Sequence, residues 1–537
     1  MKKILTIFML LFVSACAPSE VVTVEPVVEE PVVEPVVYVQ PELFLNHADR
    51  ETMPLAQDFS DIGVCYQIFV ISFADSNNDG LGDLNGITAQ LDYLSDLNVQ
   101  CLWLTPIHPS SSYHKYDVLD FYNIDPDFGT LADFDRLIEE AAARDIIVLM
   151  DLVLNHTSKD HPWFRERPEY YRLISKDHPD YARSNYWYSH NGLQYYAYFW
   201  DQMPELNLDD PVVREATFDI ARFWLNRGVG GFRLDAVRHF FDSTEYPIRT
   251  NTLQQNILYL KEFNEVVKTI NPAAIVVAEV WSAAEAVARY LPGIDSAFNF
   301  DLATAILTTV ASSSDNSSTD VVGNFLNIQA FYDEQNTPYH DSLFLTNHDQ
   351  DRVMSLLDNN PSKAKLAANI MFTLPGVSWI YYGEELGMRG ARTASFTDAE
   401  RRQPMPWQTS FQVALVDGYP LEFANQQLAP GNDMFQHYQT ITALKSDPVI
   451  RLGEVGRVTK TQRHFLAYTL TYDQTSYLVV HNLSSSERSL YVNADVSVLH
   501  DINAGIDEGS DMTMQPYSTV IFEVQTREIT LPFEPIK

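Results

Sequence analysis

The sequence predicts an α/β fold: repeated β-α units forming a parallel sheet, then a separate antiparallel β-sandwich. Three observations predict it. Short apolar runs alternate with stretches of helical period from about residue 60 to 410. Those runs lack the polar alternation of half-exposed strands, as strands covered on both faces do. Beyond about residue 450 the pattern changes to short strands divided by Asp, Ser and Asn turns.

Met1-Lys2-Lys3 is a basic start, and Ile4 to Val13 is an apolar run too short for a stable membrane span. With Val13-Ser14-Ala15-Cys16 it is similar to a lipoprotein signal over 1–15, which makes Cys16 the lipidated first residue. A plain secretory signal cleaved nearby is the alternative. Residues 16–41 are a self-repelling Val/Glu/Pro run, expected to be an extended disordered tether. The main domain then occupies 42–450 and the sandwich 451–537.

Val64–Ile71 opens the sheet, and Gly86–Leu97 follows as a helix with Ile87, Leu91 and Leu94 on one face. Val99–Leu104 is the next strand. Thr130 and Asp133 fit a helix start whose face runs through Leu131, Phe134, Ile138 and Ala141. Ile146–Met150 is a strand, after which residues 156–207 break the alternation. That stretch is rich in Tyr, Trp, His and Asp, as an excursion over a binding site would be. Pro211 opens a helix with a stripe of Val213, Ala216, Ile220 and Phe223. Phe465–Tyr472, Tyr477–Val480, Leu490–Val492 and Thr519–Val524 are strands of the sandwich.

Chemistry concentrates where strands end. Gly231-Phe-Arg-Leu-Asp235 places Arg233 and Asp235 on one face, because side chains alternate along a strand. The guanidinium would keep Asp235 ionised and aim it. One such pair is equally a structural ion pair. However, Asp151-Leu-Val-Leu-Asn155-His156, Ala278-Glu279-Val280-Trp281 and Thr346-Asn-His348-Asp349 end apolar runs in the same way. A lone case would be read as a helix cap; four in order are not.

These four segments resemble, in order and spacing, the signature regions of the α-amylase family of glycoside hydrolases. Tyr66-Gln-Ile-Phe with Ser72-Phe-Ala-Asp75 resembles the family's first strand, Tyr113-His-Lys-Tyr116-Asp117 a substrate-facing loop, and Tyr381-Tyr-Gly-Glu384 the eighth strand end. Met203-Pro-Glu-Leu-Asn207 is similar to a motif intermediate between the oligo-1,6-glucosidase and neopullulanase branches, with Glu205 replacing the usual Asp. The resemblance covers about 60–410. Where the residues alone leave the parallel sheet open or closed, it implies a closed (β/α)8 TIM barrel, with the excursion after strand 3.

It also implies a retaining mechanism, which needs two carboxyl groups about 5–5.5 Å apart. Asp235 would be the nucleophile. Glu279, between Ala278 and Val280, would be the proton donor, its pKa raised by an apolar setting. Asp349 would be the third carboxylate, gripping sugar hydroxyls. Tyr116, His156, Arg233, Arg238, His239 and His348 match substrate-contacting positions. Ala236, small and next to the nucleophile, resembles α-1,4-acting members.

Asp75-Ser-Asn77-Asn-Asp79-Gly80-Leu81-Gly-Asp83 offers oxygen donors at alternate positions, a turn glycine and a carbonyl at Leu81, the pattern of a calcium loop. It lacks the bidentate Glu of an EF-hand, because Gly86 stands there, and Asp83 is expected to complete the set. A metal-free Asx-turn loop is the alternative. Asn155 and His239 match a second calcium site of the family, between barrel and excursion, with no acidic partner identified.

Composition narrows the partners. The chain has 537 residues, 72 acidic against 36 basic, and a net charge of -36, which argues against nucleic acid or an anionic membrane surface. It suits a neutral α-glucan or malto-oligosaccharide, with membrane contact only through the lipid anchor of an extracytoplasmic bacterial protein. A monomer is expected. Besides Cys16 there are Cys65 and Cys101, expected to be buried thiols. Three function classes stand: an endo-acting α-1,4-glucan hydrolase, an exo-glucosidase or transglycosylase, and a non-catalytic glycan-binding lipoprotein.

Overall fold

The computed structural model describes residues 59–525 apart from 248, 315–319, 393–397, 408–432, 459–463, 503–505 and 508–511. The expected signal, Cys16 and tether lie outside the described residues. Eight parallel strands close into a barrel: β1 (Val64–Ile68), β2 (Cys101–Leu104), β3 (Ile147–Leu152), β4 (Gly231–Leu234), β5 (Ile275–Ala278), β6 (Ser296–Phe298), β7 (His340–Phe344) and β8 (Val377–Tyr381). Each strand pairs with its sequence neighbours, and β8 pairs with β1. Every residue of β2, β3, β4, β5 and β8 is buried, because the lumen covers one face and the helices the other. Gly231 starts β4 at φ 147, where a Cβ would lie 2.1 Å from the Ile275 carbonyl oxygen.

The helices begin where the sequence signals them. Thr130 and Asp133 form a reciprocal capping box on Leu131–Ala142. Asp210 caps Pro211–Asn226, which buries Val213, Ile220 and Trp224, each contributing about 1.5–3 kcal/mol. The expected Gly86–Leu97 helix is instead two, Leu84–Ala89 and Leu91–Asp96, broken at Gln90. Thr88 Oγ1 donates to the Leu84 carbonyl at 2.8 Å, a back-bond of the kind that bends helices.

Cys65 and Cys101 are not free thiols. β1 and β2 pair them directly, at a Cα separation of 4.5 Å, and they form a disulfide inside the barrel. The sequence shows two strand cysteines but not this register.

The excursion carries a small antiparallel sheet of Leu173–Ile174, Leu193–Tyr196 and Trp187–His190. At the other end, five antiparallel strands run in spatial order Glu454–Arg457, Phe465–Tyr472, Thr475–Asn482, Thr519–Val524 and Val496–Ile502. A three-stranded sheet packs on one face, with Leu490 and Met514 meeting Val480 and Phe522. The other face docks on the barrel helix Pro361–Thr373, where Asn369 donates to Thr519 Oγ1 at 3.0 Å. The sandwich is therefore tied to the barrel by buried polar contacts as well as by packing.

Candidate active site

Strand register assembles the site. β3 and β4 pair Asp151 with Arg233, and β4 and β5 pair Arg233 with Val277, which sets Glu279 just past Leu234. Arg233 is fully buried and contacts three carboxylates. Its Nη1 donates to Asp151 at 2.7 and 2.9 Å and to Asp235 at 2.8 Å, and its Nη2 lies 2.9 Å from Glu279. The guanidinium also lies over the Trp103 ring, 4.9 Å from its centroid.

One guanidinium cannot neutralise three carboxylates. Asp151 accepts from Arg233, from Trp103 Nε1 at 3.1 Å and from Tyr116 Oη at 2.9 Å, so donors crowd its oxygens and leave little room for a proton. Glu279 has Arg233 and, at 3.3 Å, the Ala236 amide. Burial and the charges of Asp235 and Asp349 outweigh Arg233 and push Glu279 up to about 7. Burial also drives Asp151 upward, but Glu279, with fewer donors on its oxygens, is the better placed of the two to hold a proton.

Ala236 adopts a left-handed conformation, φ 50 and ψ 36, ending β4 sharply and directing Asp235 toward the mouth. Asp235 keeps a side chain 12% exposed, against zero for Asp151. Asp235 and Glu279, 11% exposed, are therefore the members of the Arg233 group that reach the mouth, and Asp151 is not.

Asp349 arrives from β7. Burial would raise its carboxyl, but His348, Arg402 and Arg233 outweigh this and hold it at about 2. His348 is itself pushed down to about 3 by burial, so Arg402, at 2.7 Å, supplies the charge at neutral pH. Gln67 Nε2 lies 2.7 Å from His348 Nδ1, and Tyr116 Oη lies 2.7 Å from Nε2. Tyr116 donates its proton to Asp151, so the network assigns the His348 proton to Nε2. Burial lowers His156 as well, keeping it neutral beside the site.

Asp235, Glu279, Asp349, Tyr116, His156, Arg233 and His348 thus meet in one place. Arg238 and His239 stand at the rim instead: Arg238 Nη1 donates to the Trp281 carbonyl, and the His239 ring is 5.0 Å from that of Phe199. Phe199, Trp200 and Trp281 leave 47%, 45% and 49% of their surface exposed. Sequence reasoning missed Gln67, Trp103, His114 and Arg402. His114 is lowered to about 4 by burial, with Asp117, Arg402 and Asp349 acting on it, and it sits in the loop already read as substrate-facing.

The 75–83 loop is a ladder of Asx turns. Asp75 accepts from the amides of Asn77, Asn78 and Gly80, Asn77 from Asp79, and Asp79 from Leu81. Two carboxylates, one amide oxygen and the Leu81 carbonyl form an oxygen-only set of the kind calcium takes. Asp83 is engaged elsewhere, since it caps Leu84–Ala89 through Gly86 and accepts twice from Ser76. Gly86 cannot be the bidentate Glu, because a Cβ there would lie 1.9 Å from the Ala74 carbonyl oxygen. Among the described residues no group of three or more His, Cys, Asp or Glu is placed to hold a metal.

Near Asn155 the excursion places a further acid, Glu205. Its carboxyl is buried, and Oε2 has no hydrogen-bond partner. Burial raises it to about 8 against Arg172, with Asp242 adding to the rise and Asn155 alongside. Asp242 in turn lies 3.1 Å from His239. A buried acid with an unpartnered oxygen beside a second acid fits a divalent cation.

Residues 67–453 match the family described as "Alpha amylase, catalytic domain", and 465–521 match "Alpha-amylase SusG C-terminal domain". The chain is 36% identical to "Alpha-amylase 3" of Dictyoglomus thermophilum over 482 residues, covering 86% of this chain and 93% of the relative. Among solved structures, an α-amylase from H. orenii superposes with a TM-score of 0.75 at 34% identity, covering 87% of this chain and 100% of that one. Eubacterium rectale Amy13B gives 0.77 at 30%, covering 87% and 96%.

Proposed function

The chain belongs to the α-amylase family of glycoside hydrolases, and on that premise we propose that it cleaves internal α-1,4-glucosidic bonds of starch, glycogen or maltodextrins with retention. Asp235 attacks the anomeric carbon as the aglycone oxygen leaves with the proton of Glu279. Water, deprotonated by Glu279, then releases the sugar from Asp235. The observation that carries this reading is Arg233 joining Asp235 and Glu279 while burial holds Glu279 near 7. Arg233 thereby orients one carboxylate while burial favours the proton on its neighbour, the division of labour the two steps require.

Asp349, ionised by Arg402, grips sugar hydroxyls as the ring flattens. Neutral His156 and His348 contact the same sugar, and Tyr116 lies beneath it. Half-exposed Trp281 and Phe199, with Arg238 and His239 between them, support binding beyond the cleaved bond and hence internal cleavage. Proton NMR of early maltoheptaose digests, with sizing of starch products, tests the proposal. Initial α-anomers and mixed oligosaccharides are expected. Initial β-anomers overturn retention, and glucose as the sole early product overturns internal cleavage in favour of an α-glucosidase.

Calcium is part of the proposal. Asp75, Asn77, Asp79 and the Leu81 carbonyl would hold one ion, braced by Asp83, and Glu205 with Asn155 and the His239 segment a second. Bound calcium supplies charge neutralisation and cross-linking, not chemistry at the anomeric carbon. Lipidation at Cys16 and extracytoplasmic residence complete it, supported by the 65–101 disulfide, which belongs to an oxidising compartment. Globomycin-sensitive processing, lost in Cys16→Ser, tests the anchor.

A further inference from the structure

Past the ends of β7 and β8 lies a second polar site that the reaction does not use. A cavity of about 10 Å³ is bounded by Thr346, Arg352, Ala364, Tyr381, Glu384 and Met388 among others, all of them buried. Three of these carry polar atoms with no hydrogen-bond partner in the protein: Thr346 Oγ1, Arg352 Nη2 and Glu384 Oε2. Their remaining groups are committed elsewhere. Arg352 donates through Nε to the Arg401 carbonyl at 2.9 Å and through Nη1 to the Tyr382 carbonyl at 2.6 Å. Glu384 Oε1 accepts from Tyr438 Oη at 2.7 Å.

We propose that one buried water occupies this cavity, bridging Thr346, Arg352 and Glu384, and that the bridge positions the segment carrying His348 and Asp349. The volume is that of a single water, and three polar partners are the usual number for a buried one. Donors and acceptors balance. With burial pushing the Glu384 carboxyl up to about 8, the water accepts from Arg352 Nη2 and from the protonated Glu384 Oε2 at neutral pH and donates to Thr346 Oγ1. A dry cavity would leave three buried polar groups unpaired, which native proteins avoid.

The bridge matters because of where its ends lie. Thr346 follows β7 and leads within three residues to Asp349; Arg352 closes the same segment. Glu384 stands past β8, on a different strand end. Arg352 also holds the Arg401 carbonyl, and the adjoining Arg402 contacts Asp349. Thr346, Arg352 and Glu384 are thus positioning residues for Asp349, touching no substrate themselves.

This inference rests on the proposed role of Asp349 only in its kinetic part. A crystal structure of the full folded chain, grown in bromide, tests the site alone. Density for one water within about 2.6–3.2 Å of the three atoms is expected. An empty cavity, or an anomalous bromide peak, overturns the proposal. In kinetics, Thr346→Val keeps the shape and removes one partner. It should lower kcat about tenfold with KM changed less than about twofold, while Thr346→Ser restores kcat. Wild-type kcat in Thr346→Val, or no recovery in Thr346→Ser, overturns the positioning role. If the water is present but the wild type turns over no α-glucan, the functional reading fails and the site stands.

Discussion

Replacing Glu279 with Gln removes the proton donor while keeping its shape, and the structure sets the size of the effect. Glu279 is raised from 4.5 to about 7 with a side chain only 11% exposed. That rise disfavours ionisation by a few kcal/mol, to order of magnitude. At pH 7 about half of the molecules hold the proton, against about 0.3% for an ordinary Glu, so the setting supplies roughly 150 times more acid. The expected loss of kcat on starch in Glu279→Gln is about 10³-fold or more. On α-maltosyl fluoride, whose leaving group needs no proton, formation of the glycosyl-enzyme should fall less than about tenfold. Asp235→Asn should lose both. In the wild type, activity should fall as pH rises through about 7, where Glu279 ionises. Stability moves the same way: a buried carboxyl raised in the folded state favours the fold less as pH rises from its unfolded pKa through the folded value. Equal losses on starch and fluoride in Glu279→Gln would refute the assignment of the acid.

Arg402→Met removes the charge that holds Asp349 down, so the Asp349 pKa should rise, and kcat for maltoheptaose should fall at least 10²-fold at near-normal folding by circular dichroism. Chelation should lower Tm, and Asp79→Ala should remove part of that response; an unchanged Tm in both makes the loop a bare turn. Reducing the disulfide, or Cys101→Ser, opens a loop of 36 residues and should cost about 4 kcal/mol in urea unfolding.

Local pattern and strand register divide what is legible in the sequence from what is hidden. Arg233 and Asp235 are legible because side-chain alternation operates within one strand. That Arg233 also reaches Asp151 and Glu279 depends on the register of β3, β4 and β5, which no local pattern encodes. The disulfide is hidden for the same reason: Cys65 and Cys101 are opposite only because β1 and β2 align there. Arg402 lies beyond β8 in a segment without periodicity, so only its contact with Asp349 reveals it. Glu205 is visible in the sequence as a motif variant, yet its unpartnered oxygen beside Asn155 emerges only once the excursion folds back. Asp83 reads as a metal donor because a helix cap and a calcium loop draw on the same residue types.

The central claim, that Asp235 carries a covalent glycosyl intermediate, is tested most directly by trapping it. Incubation with a 5-fluoro-α-glycosyl fluoride, which slows turnover of the intermediate, followed by proteolysis and mass spectrometry, reads the site of attachment. With Asp235 as nucleophile, the added sugar mass should appear on the peptide containing Asp235 in the wild type, accumulate in Glu279→Gln, and be absent in Asp235→Asn. Label on another carboxylate, or turnover of the fluoride by Asp235→Asn at wild-type rate, would contradict it.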